Sequence, residues 1–174
     1  MSVHRLDMET SGLMVFALNA STQSNLSKQF QKRLVGKRYI ALVEHAPAET
    51  QGAVEAPLIK DPEPSRWPRQ KICHDSGRPS RTLWRVHDRP IESPFDRQAQ
   101  TVRLELRPET GRTHQIRVHL ASPPAEGGLG TPILGDTLYG SESTAPRLCL
   151  HAEALAFWRP NTDEWLKFES PAPF

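Results

Sequence analysis

The sequence has few cysteines and no long apolar run, and these two absences exclude several classes of protein. No apolar segment approaches the length of about 20 residues that crosses a bilayer. We therefore expect no membrane-spanning helix. Cys73 and Cys149 stand alone, without the Cys-x-x-Cys spacing of a zinc or redox site. We expect both to be small buried apolar residues, with no disulfide and no metal site.

The N-terminal residues also lack the features of a secretion signal. His4, Arg5 and Asp7 come early, and no apolar core with a small-residue cleavage site follows them. The cytoplasm is therefore the expected compartment. A length of 174 residues, with 37% hydrophobic and 24% charged residues, is typical of one globular domain. We predict a single domain over residues 1–174 that acts as a monomer, since no feature indicates a protein partner.

The net charge is low as well, at +2, but the 22 lysines and arginines are unevenly distributed. They concentrate within residues 28–38, 66–81 and 103–117. Local groups of cations favour a polyanionic partner such as RNA, whatever the total charge. The alternative is that these are solvated faces balanced by the 20 acidic residues, and charge alone favours this alternative.

Hydrophobic periodicity predicts an α+β fold with a mostly antiparallel sheet. The many prolines within residues 46–79 predict loops and short strands there. A long loop is predicted from Asp88 to Gln100. The other predicted elements are, in chain order, a buried strand at 12–18, a helix from Ser21 to Arg33 closed by Gly36, a half-buried strand at 37–43, an antiparallel pair of strands at 82–86 and 102–106, a short helix at 113–120, and closing strands at 148–150, 155–157 and 165–168.

Three polar segments could carry chemistry, and each also has a structural interpretation. They are HRLD at residues 4–7, KRY at 37–39 and GRTHQIRVH at 111–119. Asp7 lies close to Thr, Ser and Gly, where an aspartate usually caps a turn. Tyr39 on a strand is more often a core aromatic, and Arg117 could be a surface charge on a helix.

The order of five longer segments favours the chemical interpretation of these residues over the structural one. They are HRLDMETSGLMVFALN at 4–19, KRYIALV at 37–43, GRTHQIRVHL at 111–120, PILGDTLYG at 132–140 and LCLHAEALAF at 148–157. Through them the chain resembles the RluA family of RNA pseudouridine synthases along nearly its whole length. PLI at 57–59 and RQK at 69–71 further resemble the branch of that family that modifies both ribosomal and transfer RNA.

The resemblance implies a cofactor-free isomerase that acts on ribosomal or transfer RNA. Its implied fold is that of the pseudouridine synthase catalytic domain, a mostly antiparallel mixed sheet with helices and loops beside a central RNA-binding cleft. The resemblance assigns Asp7 as the catalytic carboxylate and Tyr39 as the residue that lies against the target base. It assigns Arg117 as the partner of the carboxylate.

The isomerisation itself requires these residue types. Uridine must exchange its N1–C1′ glycosidic bond for a C5–C1′ bond, so an ionised carboxylate is needed to attack the sugar or base, or to help remove a sugar proton. A guanidinium fork such as that of Arg117 would keep the carboxylate charged and oriented. The target base must also leave its stack, and Tyr39 offers it a flat wall. The Tyr39 hydroxyl could further assist removal of the C5 proton.

Several other residues are predicted to contact the RNA. Arg5 is expected to fill the stack that the uridine leaves, so Arg5→Ala should weaken RNA modification far more than folding. His114 and His119 are five residues apart and would not share a helical face, which indicates buried hydrogen-bonding residues around the cleft rather than a zinc site. The other predicted RNA-binding residues are His4, Arg69, Lys71 and Arg112, together with His114.

One feature departs from the family pattern. Relatives usually carry strands and a Lys-Pro-containing segment ahead of HRLD, whereas here HRLD begins at residue 4, so we expect the usual N-terminal strands to be absent. A catalytically silent RNA-binding remnant of the same fold is therefore the alternative function. A nucleoside hydrolase is a third possibility, which ranks last because the sequence offers neither paired carboxylates nor calcium-binding features.

Overall fold

The computed structural model describes residues 1–88, 91–95 and 100–174. Within these residues the chain forms two α-helices and ten β-strands. The helices are α1 (Ala20–Gln31) and α2 (Gln115–Ala121). The strands are β1 (Ser11–Gly12), β2 (Gly36–Val43), β3 (Gln51–Glu55), β4 (Leu58–Lys60), β5 (Gln70–Ile72), β6 (Arg81–Val86), β7 (Ile91–Glu92), β8 (Gln100–Pro108), β9 (Leu150–Trp158) and β10 (Trp165–Glu169).

Eight of these strands form one sheet. Their order is β1-β9-β2-β8-β6-β3, with β10 beside β9 and β7 beside β8. Paired strands are antiparallel, except that β1 runs parallel to β9. The predicted α+β fold with a mostly antiparallel sheet is confirmed, as is the pairing of the strands predicted at 82–86 and 102–106, which are β6 and β8. β4 and β5 form a separate hairpin.

The middle strands of the sheet supply most of the core. Residues 40–43 of β2 are all buried, because this central strand is covered on both faces. The half-buried alternation predicted for this strand is therefore wrong. Ile116 and Leu120 of α2 pack into the same apolar cluster. α1 packs through Leu26 into a second, smaller cluster.

The segment at residues 12–18 is not the buried strand that its composition predicts. Only Ser11–Gly12 pairs with β9. Beyond that point the chain packs on one side only, because Phe16 and Leu18 face solvent. Leu13, Val15 and Ala17, which alternate with the exposed side chains, pack in the α1 cluster instead of forming a two-sided core strand.

The helix and strand limits also differ from the prediction. The Asn19 side chain accepts a hydrogen bond from the Thr22 N–H (2.9 Å), so Asn19 rather than Ser21 is the N-cap of α1. The helix ends at Gln31, and Gly36 begins β2 instead of closing the helix. The two closing strands predicted at 148–150 and 155–157 form one continuous strand, β9.

The long connection predicted from Asp88 to Gln100 lies partly outside the described residues, which omit 89–90 and 96–99. Its described part contains β7, which pairs with the beginning of β8. In the portion of the chain that the structure covers, neither helix is long and apolar enough to cross a membrane.

Candidate active site

Ala152, on β9, brings the Asp7 loop and Tyr39 together. Gly12 of β1 lies opposite Ala152 on one side, and Tyr39 of β2 lies opposite it on the other. The loop that carries Asp7 runs directly into β1. The register of β1 and β2 on β9 therefore places Asp7 near Tyr39, although 31 residues separate them in sequence.

The Asp7 side chain takes no part in the turn that contains it. The backbone carbonyl of Asp7 closes this turn by accepting a hydrogen bond from the Thr10 N–H (3.0 Å). The carboxylate is half-buried, and within the described residues it forms no ion pair or side-chain hydrogen bond. The turn-capping role that sequence alone favours is therefore not the role of this side chain.

A β-bulge sets the direction of Tyr39. Arg38 lies opposite Ala154 and Tyr39 lies opposite Ala152, so β9 has one extra residue, Glu153, at this point. Burial, followed by the nearby charge of Asp7, raises the pKa of Tyr39 to about 12. The phenol of Tyr39 is therefore neutral at physiological pH.

Arg117 lies in a buried ion-pair network. Its side chain is 2% exposed, and its guanidinium donates two hydrogen bonds to the Asp136 carboxylate, from Nε (2.9 Å) and Nη2 (2.6 Å). Nη2 also lies 3.0 Å from Oε2 of Glu9. The direct partners of Arg117 are thus Asp136 and Glu9, which correct the expected pairing with Asp7. The physical reason is that the fork of Arg117 already fits Asp136, which the fold holds in place.

Asp7 nevertheless lies within electrostatic reach of Arg117. Burial alone lowers the pKa of Arg117, but the hydrogen bonds and charge of Asp136 more than offset this effect. The carboxylates of Glu9 and Asp7 add to it, so the pKa of the guanidinium stands above its ordinary value. Arg117 is therefore a fixed positive charge close to the free carboxylate.

Asp136 and Tyr139 belong to the site but were not singled out by sequence reasoning. Asp136 is fully buried, and its carboxylate also accepts hydrogen bonds from the backbone N–H groups of Leu138 (2.9 Å) and Tyr139 (3.0 Å). The guanidinium of Arg117 lies 5.5 Å from the centre of the Tyr139 ring. The segment PILGDTLYG, which contains both residues, was the available signal.

His114 connects Tyr139 to the beginning of α2. His114 Nδ1 is hydrogen-bonded to the Tyr139 hydroxyl (2.7 Å), and its backbone adopts a left-handed conformation with φ of 54°. Burial is the main cause that lowers the pKa of His114 below its ordinary value, while the charge of Asp7 opposes this shift. His114 therefore adds little positive charge near Asp7 at neutral pH.

Gln115 fixes the turn from which His114 projects. Its Oε1 accepts hydrogen bonds from the Thr110 hydroxyl (2.8 Å) and the Arg112 N–H (3.0 Å). Its Nε2 donates to the backbone carbonyl of Arg81 (3.0 Å). The turn before α2 is thereby tied to β6 and to Thr110, which lies two residues after the end of β8.

Known proteins with a similar sequence indicate the activity of this site. A family model described as RNA pseudouridylate synthase matches residues 1–122, a range that contains Asp7, Tyr39 and Arg117. The chain belongs to this family. The synthase is an isomerase that converts uridine to pseudouridine in RNA, which confirms the activity predicted from the sequence.

Individual relatives agree with this membership. The synthase is 46% identical over 174 residues to the dual-specificity RNA pseudouridine synthase RluA of Pasteurella multocida, covering 98% of this chain and 73% of the relative. It is 43% identical over 176 residues to the protein of the same name from Escherichia coli strain K12, covering 99% of this chain and 74% of the relative. The predicted resemblance to the RluA family is therefore confirmed.

A solved structure has the same fold. Human RNA pseudouridylate synthase domain containing 1 superimposes with a TM-score of 0.83 at 29% identity, covering 99% of this chain and 69% of the human chain. This match confirms the synthase fold class predicted from the sequence.

A group of cations lies near the Asp7 loop and Tyr39 of the synthase. Burial lowers the pKa of Arg112, and the neighbouring charges of Arg78 and Arg33 lower it further. Burial and the charge of Arg33 likewise lower the pKa of Lys37, which lies two residues before Tyr39. Such mutual repulsion between cations is relieved when a phosphate binds among them. We call Arg33, Lys37, Arg78 and Arg112 the basic cluster.

The other predicted RNA-binding residues of the synthase lie on separate segments of the chain. Arg5 is exposed, and its charge reaches His114. Arg112 donates from Nε and Nη2 to the Pro79 carbonyl, each at 3.2 Å. Arg69 and Lys71 lie on the β4–β5 hairpin.

Two further histidines have hydrogen-bond partners within the protein. His4, predicted to bind RNA, accepts a hydrogen bond at Nε2 from the Val15 N–H (3.0 Å) and stacks on Phe30 at 4.6 Å. Its ring therefore holds the Asp7 loop against α1. His119 is buried and bonded to Thr82 and Ala56, as the sequence suggested. In the described ranges no three His, Cys, Asp or Glu side chains are grouped as metal ligands.

Proposed function

We propose that Asp7 is the catalytic carboxylate of this synthase and that Tyr39 and Arg117 complete its active site. The observation that carries the proposal is the free, half-buried carboxylate of Asp7 within reach of a neutral phenol and a fixed guanidinium. A carboxylate in this setting keeps its lone pairs for the substrate.

The reaction needs no external reagent. The N1–C1′ bond breaks, a C5–C1′ bond forms, the proton on C5 leaves, and N1 ends with a proton. Asp7 either attacks the sugar or the base, or helps to remove a sugar proton, and each route requires the ionised carboxylate. Arg117 supplies a positive charge near this carboxylate, because Asp136 and Glu9 hold its guanidinium in place.

Tyr39 supports the flipped base by its ring. A base taken out of its stack is stabilised when it lies against an aromatic side chain, and Tyr39 lies on a bulged strand beside the Asp7 loop. Because the pKa of Tyr39 is raised to about 12, its phenolate is a rare species at neutral pH. The hydroxyl can donate a hydrogen bond, but it is a poor base for the C5 proton.

The proposed substrates are structured ribosomal and transfer RNA. Two relatives that this chain matches over nearly its whole length are named as dual-specificity enzymes, which supports more than one RNA target. The basic cluster and Arg5 provide phosphate contacts around the Asp7 loop. We propose Arg69 and Lys71 as further contacts on the hairpin.

We further propose that residues 1–174 fold as one catalytic domain and act as a monomer in the cytoplasm. The eight-stranded sheet, which extends from β1 near one terminus to β10 near the other, supports a single domain. Cys149 is buried as predicted, whereas Cys73 is only partly buried, and a reducing compartment suits two free thiols.

The test of the catalytic assignment is release of tritium from RNA that contains 5-tritiated uridine. Wild-type protein should release the label, whereas Asp7→Ala and the isosteric Asp7→Asn should lose at least about a thousandfold in rate because the carboxylate is gone. Asp163→Ala is the matched control, since Asp163 is an exposed aspartate on the turn before β10.

The alternatives predict different outcomes of this experiment. A silent RNA-binding remnant would bind RNA but release no tritium above the Asp7→Ala level. A nucleoside hydrolase would release free uracil. Normal turnover by a folded Asp7→Asn protein would remove Asp7 from the catalytic role.

A further inference from the structure

The tip of the β4–β5 hairpin presents an exposed tryptophan between arginines. Trp67 is 70% exposed, which makes it the most exposed aromatic side chain in the described part of the chain. Arg66 precedes it in a short 3-10 turn, and Arg69 follows it. Arg66 Nη1 lies 3.5 Å from Asp61 Oδ2, whereas Arg69 has no ion pair among the described residues. A large apolar ring exposed to water is unfavourable on a free surface, but it suits stacking on a nucleobase.

The backbone at the tip is fixed, although the indole is exposed. The Trp67 N–H donates to the Pro64 carbonyl (3.2 Å), and the Arg69 N–H donates to the Arg66 carbonyl (2.8 Å). At the neck of the hairpin the Asp61 N–H donates to the Arg69 carbonyl (3.0 Å). A side chain on a preformed turn loses less conformational entropy when it binds a partner.

The hairpin is attached to the active site at its base. The Gln70 N–H donates to the Tyr139 hydroxyl (2.7 Å), which is also bonded to His114 beside Asp7. Three residues of extended chain span at most about 11 Å, so the Trp67 backbone lies within that distance of Gln70. β5 also packs against α2, which carries Arg117. The tip therefore lies close to Tyr139 and His114 of the candidate active site.

We propose that Trp67 stacks on an unpaired base of the substrate RNA close to the target uridine, while Arg69 contacts a flanking phosphate and Arg66 stays paired with Asp61. Trp67 is then a determinant of which RNA loops the synthase accepts. The inference rests on the proposed function only in that the target uridine occupies the Asp7 pocket. Stacking on a tryptophan tolerates any base, so the hairpin selects an unpaired position rather than a sequence.

The first test measures binding and turnover of Trp67→Ala and Trp67→Phe on an RNA stem-loop that contains a uridine modified by the wild-type protein. Trp67→Ala should weaken binding and raise KM by about tenfold to a hundredfold, as expected for loss of one base–aromatic stack. Trp67→Phe should recover most of this loss because its ring still stacks. Trp165→Ala is the matched control, as Trp165 is 45% exposed on the edge strand β10, and it should bind like wild type.

The second test locates the stacked base. A series of stem-loops, each with one abasic nucleotide, should contain one position where the missing base weakens wild-type binding but has no further effect on Trp67→Ala. Wild-type affinity in Trp67→Ala, or equal sensitivity of both proteins at every position, would overturn the inference. The binding series does not require turnover, so its result does not depend on Asp7. Tritium release that persists in Asp7→Asn would refute the catalytic assignment and leave the inference about Trp67 standing.

Discussion

At the scale of single residues, Arg117 and Asp136 form an ion pair with both charges almost completely removed from water. Both side chains are almost completely buried, and each hydrogen-bonding group of the fork finds a partner. A buried charge without its partner is expensive, because the protein interior does not solvate it. Glu9 contributes a second, more exposed carboxylate to the same guanidinium.

The two carboxylates around Arg117 should therefore differ in their contribution to stability. Asp136→Asn leaves the guanidinium without its buried counter-charge and should lower the free energy of unfolding by about 3 to 5 kcal/mol. Glu9→Gln removes a partly exposed partner and should cost roughly 1 kcal/mol or less. Urea unfolding of both variants measures the difference, and equal losses would contradict the central role of Asp136.

Tyr39 allows a prediction about pH. Because the pKa of Tyr39 is raised to about 12, the phenol remains protonated until the solution is strongly alkaline. If turnover required the phenolate, the rate would rise about tenfold per pH unit between about pH 7 and pH 10. We expect no such rise in single-turnover rates measured over this range.

The ring of Tyr39 should matter for binding independently of its hydroxyl. Tyr39→Phe keeps the flat wall and should leave the KM for RNA within about threefold of wild type, whereas Tyr39→Ala should raise it about tenfold or more. Steady-state tritium release from the two variants makes the comparison. A large rise in KM for Tyr39→Phe would show that the hydroxyl holds the base.

At the scale of elements, two strands on either side of β9 assemble the site. β1 is only two residues long, yet it holds the Asp7 loop to the sheet through Gly12, whose φ is 113°. A Cβ added at Gly12 would lie 2.3 Å from the Ala152 carbonyl oxygen, a distance that the backbone of β9 cannot accommodate without moving.

Gly12→Ala should consequently separate the Asp7 loop from β9. We expect a loss of about a hundredfold or more in turnover, together with about 2 kcal/mol or more in stability, because a strained φ and a backbone clash combine. Gly111→Ala is the matched control, since a Cβ there meets nothing within 4 Å. Tritium release and thermal unfolding of both variants check this prediction, and a fully active Gly12→Ala protein would contradict it.

At the scale of the whole molecule, RNA attraction must come from local charge, because the net charge is only +2. The basic cluster brings several cations close together near the Asp7 loop. Arg159, by contrast, pairs with the carboxylate of Glu164. Phosphate contacts of this kind release counterions, so binding weakens as salt increases.

Removing cations from the basic cluster should reduce this salt dependence. In the double variant Arg33→Ala and Arg78→Ala, the slope of log affinity against log salt concentration should become shallower by about 1 to 2. Arg159→Ala should leave the slope unchanged, since Arg159 pairs with Glu164. Filter binding of labelled transfer RNA across a potassium chloride series gives the slopes, and an unaltered slope in the double variant would exclude these residues from phosphate binding.

The sequence by itself determined the fold class, the family and the residues most suited to catalysis. These features depend on local patterns, namely strand alternation and short segments such as HRLD and GRTHQIR, whose order can be read along the chain. Asp7, Tyr39 and Arg117 could therefore be selected before any distance was known. That Asp7 acts in catalysis remains a proposal.

The tertiary structure alone decided how these residues are partnered. Arg117 pairs with Asp136, which is 19 residues away in sequence. It also pairs with Glu9, near the beginning of the sequence, instead of with Asp7. His4 stacks on Phe30 and accepts a hydrogen bond from the Val15 N–H. Such contacts join residues far apart in sequence, so long-range packing fixes them and no local pattern encodes them.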